Sequence, residues 1–129
     1  MVKVIPPRLV EPYLAGQRSV IAGYVYRASD CSFRTPADYY QALALGYEGS
    51  EFSAGMAELF VLRWIALDMS ASLVAGPRAS GSPVSVIPEF FTLPVPIPVG
   101  AEMGRVTFGG EEFIGRYDGQ AWLRPLRGA

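Results

Sequence analysis

The chain has 129 residues, of which half are apolar and 18% are charged, and its formal net charge is −1. This length suits a single domain over residues 1–129, and the apolar content excludes a disordered chain. The near-neutral charge supplies no basic field, so we expect neither nucleic acid nor an anionic membrane surface as a partner.

The sequence contains no histidine and one cysteine, Cys31. Ser-His-Asp and Cys-His catalysis, imidazole metal sites, thiolate clusters and intrachain disulfides are therefore excluded, and no metal is expected. Carboxylates, arginines, hydroxyls and backbone dipoles have to supply any chemistry. We expect Cys31 to be a packed, unreactive thiol, because no base or lysine lies near it in the sequence.

No apolar stretch reaches the roughly 18 residues that a membrane-spanning helix needs, and residues 59–67 are interrupted by Arg63. The first residues, MVKVIPP, lack the long apolar region of a signal peptide. We expect a cytoplasmic protein, or one that is exported without a cleaved signal.

The N-terminal third predicts a helix followed by a strand. Residues 7–15 have apolar residues at helical spacing, but Pro12 interrupts them, so a short or kinked helix is expected. Residues 20–28 are rich in β-branched and aromatic side chains, and their alternation places Arg27 on a small apolar face.

A second helix is predicted to begin at Thr35. Thr35 can cap the helix, Pro36 suits its first turn, and Asp38 favours its positive end. Gly46 is the predicted stop. After it, residues 47–57 read as a loop.

The remaining segments alternate between extended runs and turns. Apolar runs predict strands, and the Gly-Gly and Asp-Gly pairs at 109–110 and 118–119 are strong hairpin signals. The predicted strands are 59–66, 72–75, 84–93, 101–108, 112–117 and 121–123, with a surface loop at 76–83. The whole pattern predicts a β-rich α+β fold, with one or two N-terminal helices and a mostly antiparallel sheet of six or seven strands that ends in a β-meander.

Four polar residues are candidate site residues, and each has a plainer interpretation. Glu89 lies in an apolar run. It is either a ligand-orienting carboxylate or a solvated residue of an alternating strand. Arg27 can clamp a phosphate or carboxylate, or it can extend into water. Ser50 and Ser53 can offer hydroxyls to a ligand, or can belong to an exposed connection.

Several other polar and aromatic residues are given structural roles. We expect Tyr39, Tyr40 and Trp122 to pack in the core. Glu111 and Glu112 border a turn, where a solvated pair of charges is expected.

Three segments, in chain order, resemble motifs of the ADP-ribosyltransferase fold: GYVYR at 23–27, GSEFS at 49–53, and EFFTLP at 89–94. The resemblance implies that NAD is the substrate of a transferase or glycohydrolase. It implies Arg27 as the anchor of the NAD phosphates, Ser50 or Ser53 as support for the nicotinamide ribose, and Glu89 as the catalytic carboxylate. Ile87 stands where the family often has Glu or Gln.

Two other classes of function fit the same sequence. A non-catalytic interaction module, of the accessory or immunity type, would bind a protein partner through an exposed β-edge or through the Pro-rich segment 94–98. A subunit of a larger assembly, including a homo-oligomer, fits the mean hydropathy of +0.23. The enzyme hypothesis requires Arg27, Ser50 or Ser53, and Glu89 to line one cleft, so opposite sheet faces would argue against it.

Overall fold

The computed structural model describes residues 1–46, 50–65, 73–75 and 87–125, with the backbone alone at 73–75. It confirms a β-rich α+β fold. The predicted loop at 76–83, residues 84–86 of a predicted strand and part of the predicted loop 47–57 lie outside the described residues. The elements are β1 Val2–Ile5, α1 Pro7–Leu14, β2 Val20–Val25, a 3-10 turn Ala28–Asp30, α2 Pro36–Ala42, β3 Glu58–Arg63, β4 Leu73–Ala75, β5 Phe90–Pro96, β6 Glu102–Thr107, β7 Gly110–Tyr117 and β8 Trp122–Leu123.

The strands form two antiparallel sheets. The first has the order β1-β3-β6-β7-β8 and ends in the predicted β-meander, and the second has the order β2-β5-β4. The two sheets meet at Val2 and Tyr26, whose backbones exchange hydrogen bonds of 2.7 and 2.8 Å. Pro94 and Pro96 lie beyond the three residues of β5 that pair with β4. This position suits proline, because proline has no N–H to donate to a neighbouring strand.

Side-chain alternation along β1 separates two apolar cores. Buried residues that we call the inter-sheet core lie between β1–β3–β6, α1 and β2: Ile5, Val10, Tyr13, Ile21, Val25, Leu62, Trp64, Ile97, Ala101, Met103 and Trp122. Buried residues that we call the α2 core lie on the other face of the first sheet: Val2, Val4, Tyr26, Tyr39, Leu43, Leu45, Leu59, Val61 and Val106.

Helix α2 begins as predicted and ends earlier than predicted. Thr35 Oγ1 accepts a hydrogen bond from Asp38 N at 3.2 Å, and the Asp38 carboxylate accepts one from Thr35 N, which completes a capping box. The predicted stop at Gly46 is wrong, because the left-handed residue is Ala44, at φ 53°. Gly46 instead leaves room for the ring of Tyr40, which a β-carbon there would strike.

The sequence patterns did not predict β1. It has only four residues before a Pro-Pro pair, and its hydrogen bonds go to β3, nearly 60 residues away. In contrast, α1 is confirmed as a short helix that tolerates Pro12. No helix in the described part of the chain is long and apolar enough to cross a membrane.

Candidate functional site

Glu89 immediately precedes β5 and is held by Tyr26. The Tyr26 hydroxyl donates a hydrogen bond of 3.1 Å to Glu89 Oε2. Tyr26 is buried in the α2 core. The carboxylate therefore lies on the α2 side of the β2–β5 pair, where it is partly exposed.

Arg27 lies at the same end of this strand pair but on the other face. Its Nε is 3.0 Å from Asp30 Oδ2, and its guanidinium carbon lies 5.5 Å from the centre of the Phe90 ring. Phe90 pairs with Val25 and packs against the inter-sheet core. Because successive residues of a strand face opposite sides, Arg27 and Phe90 share one face while Tyr26 and Glu89 share the other.

The described part of the predicted serine segment makes contacts with nearby backbone. The Ser50 hydroxyl donates to the Leu45 carbonyl and accepts a hydrogen bond from Phe52 N at 3.1 Å. Phe52 packs against the α2 core, and the Ser53 side chain is exposed. Ser50 therefore links Phe52 to the residues that follow α2.

The structure brings Arg27 and Glu89 to one strand end without placing both on one face. A dinucleotide that contacted both side chains would have to cross the end of the β2–β5 pair. Their roles toward NAD stay predictions, and this geometry does not favour them.

A polar cluster that the sequence did not predict joins β3, β7 and α2. Arg63 contacts Glu111 through two bonds, Nη2–Oε1 at 2.7 Å and Nε–Oε2 at 3.0 Å, and donates to the Tyr39 hydroxyl at 2.9 Å. Glu111 is exposed, as expected, and it also pairs with an arginine that lies 48 positions away in the sequence, which the sequence did not predict. Tyr39 is buried, as expected, and also holds Arg63.

Glycine at position 104 makes this contact possible. A β-carbon on Gly104 would lie 2.9 Å from Glu111 Oε2, so a side chain there would push the carboxylate away from Arg63.

Hydrogen bonding to Glu111 raises the pKa of Arg63, whereas burial raises the pKa of the Tyr39 phenol. At neutral pH, Arg63 and Glu111 form an ion pair, and the neutral phenol of Tyr39 accepts a hydrogen bond from Arg63. The cluster is therefore a structural element.

The outer edge of β7 is largely unpaired among the described residues. β8 pairs only with Arg116 and Tyr117, so residues 110–115 have no described strand on that side. A cavity of about 420 Å³ lies beside this edge, and its lining is both polar and apolar: Arg105, Glu112, Phe113, Ile114, Arg124 and Pro125.

The two arginines of this cavity differ in their partners. Arg105 Nε is 2.7 Å from Glu58 Oε2, although it is not aligned for a hydrogen bond, and Arg105 Nη1 is 3.7 Å from Glu112. Arg124 is exposed and forms no ion pair with any residue that the structure describes. The cavity therefore offers one cation that has no ion pair within the described ranges, next to an apolar wall and a row of backbone amides and carbonyls.

Comparison of the chain with models of known protein families, with curated proteins and with solved structures gives no match. Within the described ranges, no group of three or more Cys, Asp or Glu residues could hold a metal ion. The resemblance to ADP-ribosyltransferases thus rests on the three sequence motifs alone.

We predict that the Arg63–Glu111 pair stabilises the fold more than the Arg116–Glu102 pair does. Double-mutant cycles with Arg63→Met and Glu111→Gln should give a coupling of about 1 kcal/mol, because the contact is bidentate and partly buried. The matched cycle with Arg116→Met and Glu102→Gln joins more exposed side chains and should give about half as much. Equal couplings, measured by urea denaturation, would contradict the cluster's structural role.

We predict that Cys31 reacts slowly and makes stability fall at high pH. Burial raises the pKa of its thiol from 9.0 to about 11. At pH 8 a disulfide reagent should therefore react about a hundredfold more slowly than with a thiol of ordinary pKa, since each pKa unit is a factor of ten in thiolate.

The sign of the stability effect follows from the same shift. The unfolded thiol ionises near pH 9 while the folded thiol stays protonated, so the free energy of unfolding falls between pH 9 and about 11. The difference between wild type and Cys31→Ala isolates this contribution. A constant difference across that range would show that the folded thiol has an ordinary pKa.

Proposed function

We propose that this chain is a non-catalytic interaction module that binds an extended segment of another protein by strand addition along β7. One observation carries the proposal: β7 has eight residues, and β8 pairs with only its last two. Because no described strand covers residues 110–115 on this side, they can present main-chain donors and acceptors to a partner strand.

The cavity beside this edge supplies specificity. In strand addition the main-chain bonds give affinity, and pockets for alternate side chains select the sequence. Ile114 and Phe113 provide an apolar wall, and Arg124 provides a cation without an ion pair among the described residues. The preferred partner segment thus carries an acidic side chain next to an apolar one.

The charges on the edge disfavour a second copy of this chain as the partner. Glu111 and Glu112 lie within the stretch 110–115. A two-fold antiparallel pairing of β7 with itself that sets Glu111 opposite Glu112 of the other copy would place two pairs of carboxylates opposite each other, and like charges destabilise cross-strand pairs. A different protein with its own acidic residue near Arg124 avoids this repulsion.

An NAD-using transferase or glycohydrolase is the second candidate. One observation supports it: a buried tyrosine holds Glu89 at the strand end where Arg27 lies, although the two side chains are on opposite faces of the strand pair. An arginine and an oriented carboxylate are the groups that cleavage of the nicotinamide–ribose bond needs, through phosphate binding and stabilisation of positive charge on the ribose. In this hypothesis the dinucleotide spans the strand end, with pyrophosphate near Arg27.

Strand addition predicts the outcome of a peptide selection. A random library of linear 12-residue peptides selected on the protein should yield binders that share an acidic residue. Their amide perturbations in NMR should concentrate at residues 110–115. Arg124→Glu should weaken binding by about tenfold or more, because it replaces a charge-assisted contact with repulsion.

Arg34→Glu is the matched control, since it reverses the charge of another exposed arginine, which does not line this cavity. Binders that tolerate Arg124→Glu, or that perturb other strands, would contradict the proposal. So would a concentration-dependent dimer in light scattering whose protected amides are those of β7.

The second candidate predicts nicotinamide release. Purified protein incubated with NAD should release nicotinamide, and Glu89→Gln should reduce the rate at least about a hundredfold, which is the scale of removing a group that stabilises transition-state charge. Glu11→Gln, at an exposed position of α1, should leave the rate unchanged. If wild type binds no NAD, or if both variants match wild type, the NAD hypothesis is wrong.

A further inference from the structure

A second cavity, of about 500 Å³, lies beside α2 and shares no described lining residue with the cavity at β7. We call it the Asp38 cavity. Its described lining comes from the segment before α2 and from the helix itself: Ser32, Phe33, Asp38, Gln41 and Ala42. Asp38 lies three and four positions before the two other helix residues, a spacing that brings side chains to one face. The volume is in the range typical of small-molecule sites.

The Asp38 carboxylate is fixed by the helix cap, which leaves one of its oxygens free. Oδ2 accepts two backbone hydrogen bonds, from Arg34 N at 3.3 Å and from Thr35 N at 3.2 Å. Hydrogen bonding from the Arg34 backbone, and then from Thr35, lowers the pKa of Asp38, so this carboxylate is charged at neutral pH. Oδ1 has no hydrogen-bond or ion-pair partner among the described residues.

Two neutral polar groups and an apolar wall complete the cavity. The Ser32 hydroxyl and the Gln41 carboxamide belong to exposed residues and form no hydrogen bond with any residue that the structure describes. The Phe33 ring stands at 72° to the ring of the buried Tyr39, with 5.1 Å between their centres, and packs against the α2 core. These contacts hold the Phe33 ring in place as one wall of the cavity.

The groups of the lining select the class of ligand. Asp38 is the one charged side chain in the described lining, so an anionic ligand would be repelled. An ammonium group donates three hydrogen bonds, and three side chains here can accept them: those of Asp38, Gln41 and Ser32. The Phe33 ring attracts a cation and offers apolar surface to the carbon chain that carries it.

We propose that the Asp38 cavity binds an alkylammonium group, which belongs either to a small amine or to a lysine side chain of another protein. The charge-assisted bond to Asp38 supplies the largest part of the affinity, and Gln41 and Ser32 accept the remaining N–H groups. This site goes beyond the function proposed for β7 and does not depend on strand addition there.

Titration with matched probes, followed by amide NMR, tests the proposal. The probes are n-butylammonium chloride, the neutral analogue n-butanol, and sodium chloride at the same ionic strength. We expect n-butylammonium to give saturable shifts at residues 32–33 and 38–42, with a dissociation constant of about 1 mM, the scale of a few such contacts. Binding of n-butanol should be at least about tenfold weaker, because it lacks the charge.

A lysine peptide distinguishes the two sources of the ammonium group. The peptide acetyl-Gly-Lys-Gly-amide carries the same alkylammonium chain as n-butylammonium. Tighter binding of the peptide identifies a lysine of another protein as the ligand, and tighter binding of n-butylammonium identifies a small amine.

Asp38→Asn tests the charge while keeping the helix cap. Both backbone bonds go to one oxygen, which the amide retains, so this variant should fold and should weaken n-butylammonium binding about tenfold or more. Asp118→Asn is the matched control. Asp118 also accepts two backbone hydrogen bonds through one oxygen, from Gln120 N and Ala121 N at 2.8 Å each, and it does not line this cavity. Its affinity should equal that of wild type.

Gln41→Met tests the site without touching the cap. It removes an acceptor whose side chain makes no hydrogen bond with a described residue, and it should weaken binding about threefold. Gln17→Met changes another exposed glutamine outside the cavity and should have no effect.

Four outcomes would overturn the inference. Two concern the probes: equal binding of n-butanol, or equal shifts in sodium chloride. The others are unchanged affinity in Asp38→Asn and an equal loss in Asp118→Asn, which would indicate general attraction to surface charge. If the amide spectrum shows that Asp38→Asn disturbs α2, then Gln41→Met decides, and its wild-type affinity would overturn the inference.

Discussion

The described structure depends on the junction between its two sheets at the backbone pair of Val2 and Tyr26. These two residues exchange both of their hydrogen bonds, so they fix β2 against the edge of the first sheet. Side-chain alternation along β1 then assigns the residues of this strand to the two cores. Val2 and Val4 enter the α2 core, whereas Lys3 and Ile5 face the inter-sheet side.

The same junction explains why the predicted NAD residues separate. Tyr26 points into the α2 core, and its hydroxyl donates a hydrogen bond to Glu89 on the same face. Arg27, the next residue, must point the other way, where it stacks on Phe90. A one-residue shift in the register of β2 would exchange these faces, but it would also expose Val25 and bury Arg27, which is costly. The separation is therefore a consequence of the core.

Elements that depend on residues close together in the sequence were predicted better than elements that depend on pairing between distant segments. The meander was predictable because Gly-Gly and Asp-Gly turns act within a few residues, and Gly119 indeed has a positive φ of 105°. The start of α2 was predictable for the same reason. In contrast, β1 depends on pairing with β3, which no short pattern encodes.

The candidate sites show the same limit. Glu111 is next to a turn in sequence, and only the fold reveals its contact with Arg63. Arg27 and Glu89 were predicted by residue type, but their relative orientation required the register of β2 against β5.

The proposed binding surface lies at the end of the first sheet opposite the junction. There no described strand other than the two residues of β8 covers the outer edge of β7, and the cavity beside it holds Arg124, which forms no ion pair with a described residue. The most direct test is the set of backbone NOEs between a selected peptide and the protein. Cross-strand contacts between the peptide and residues 110–115 are predicted; contacts confined to another surface, such as Phe91 and Leu93 on β5, would contradict strand addition at β7.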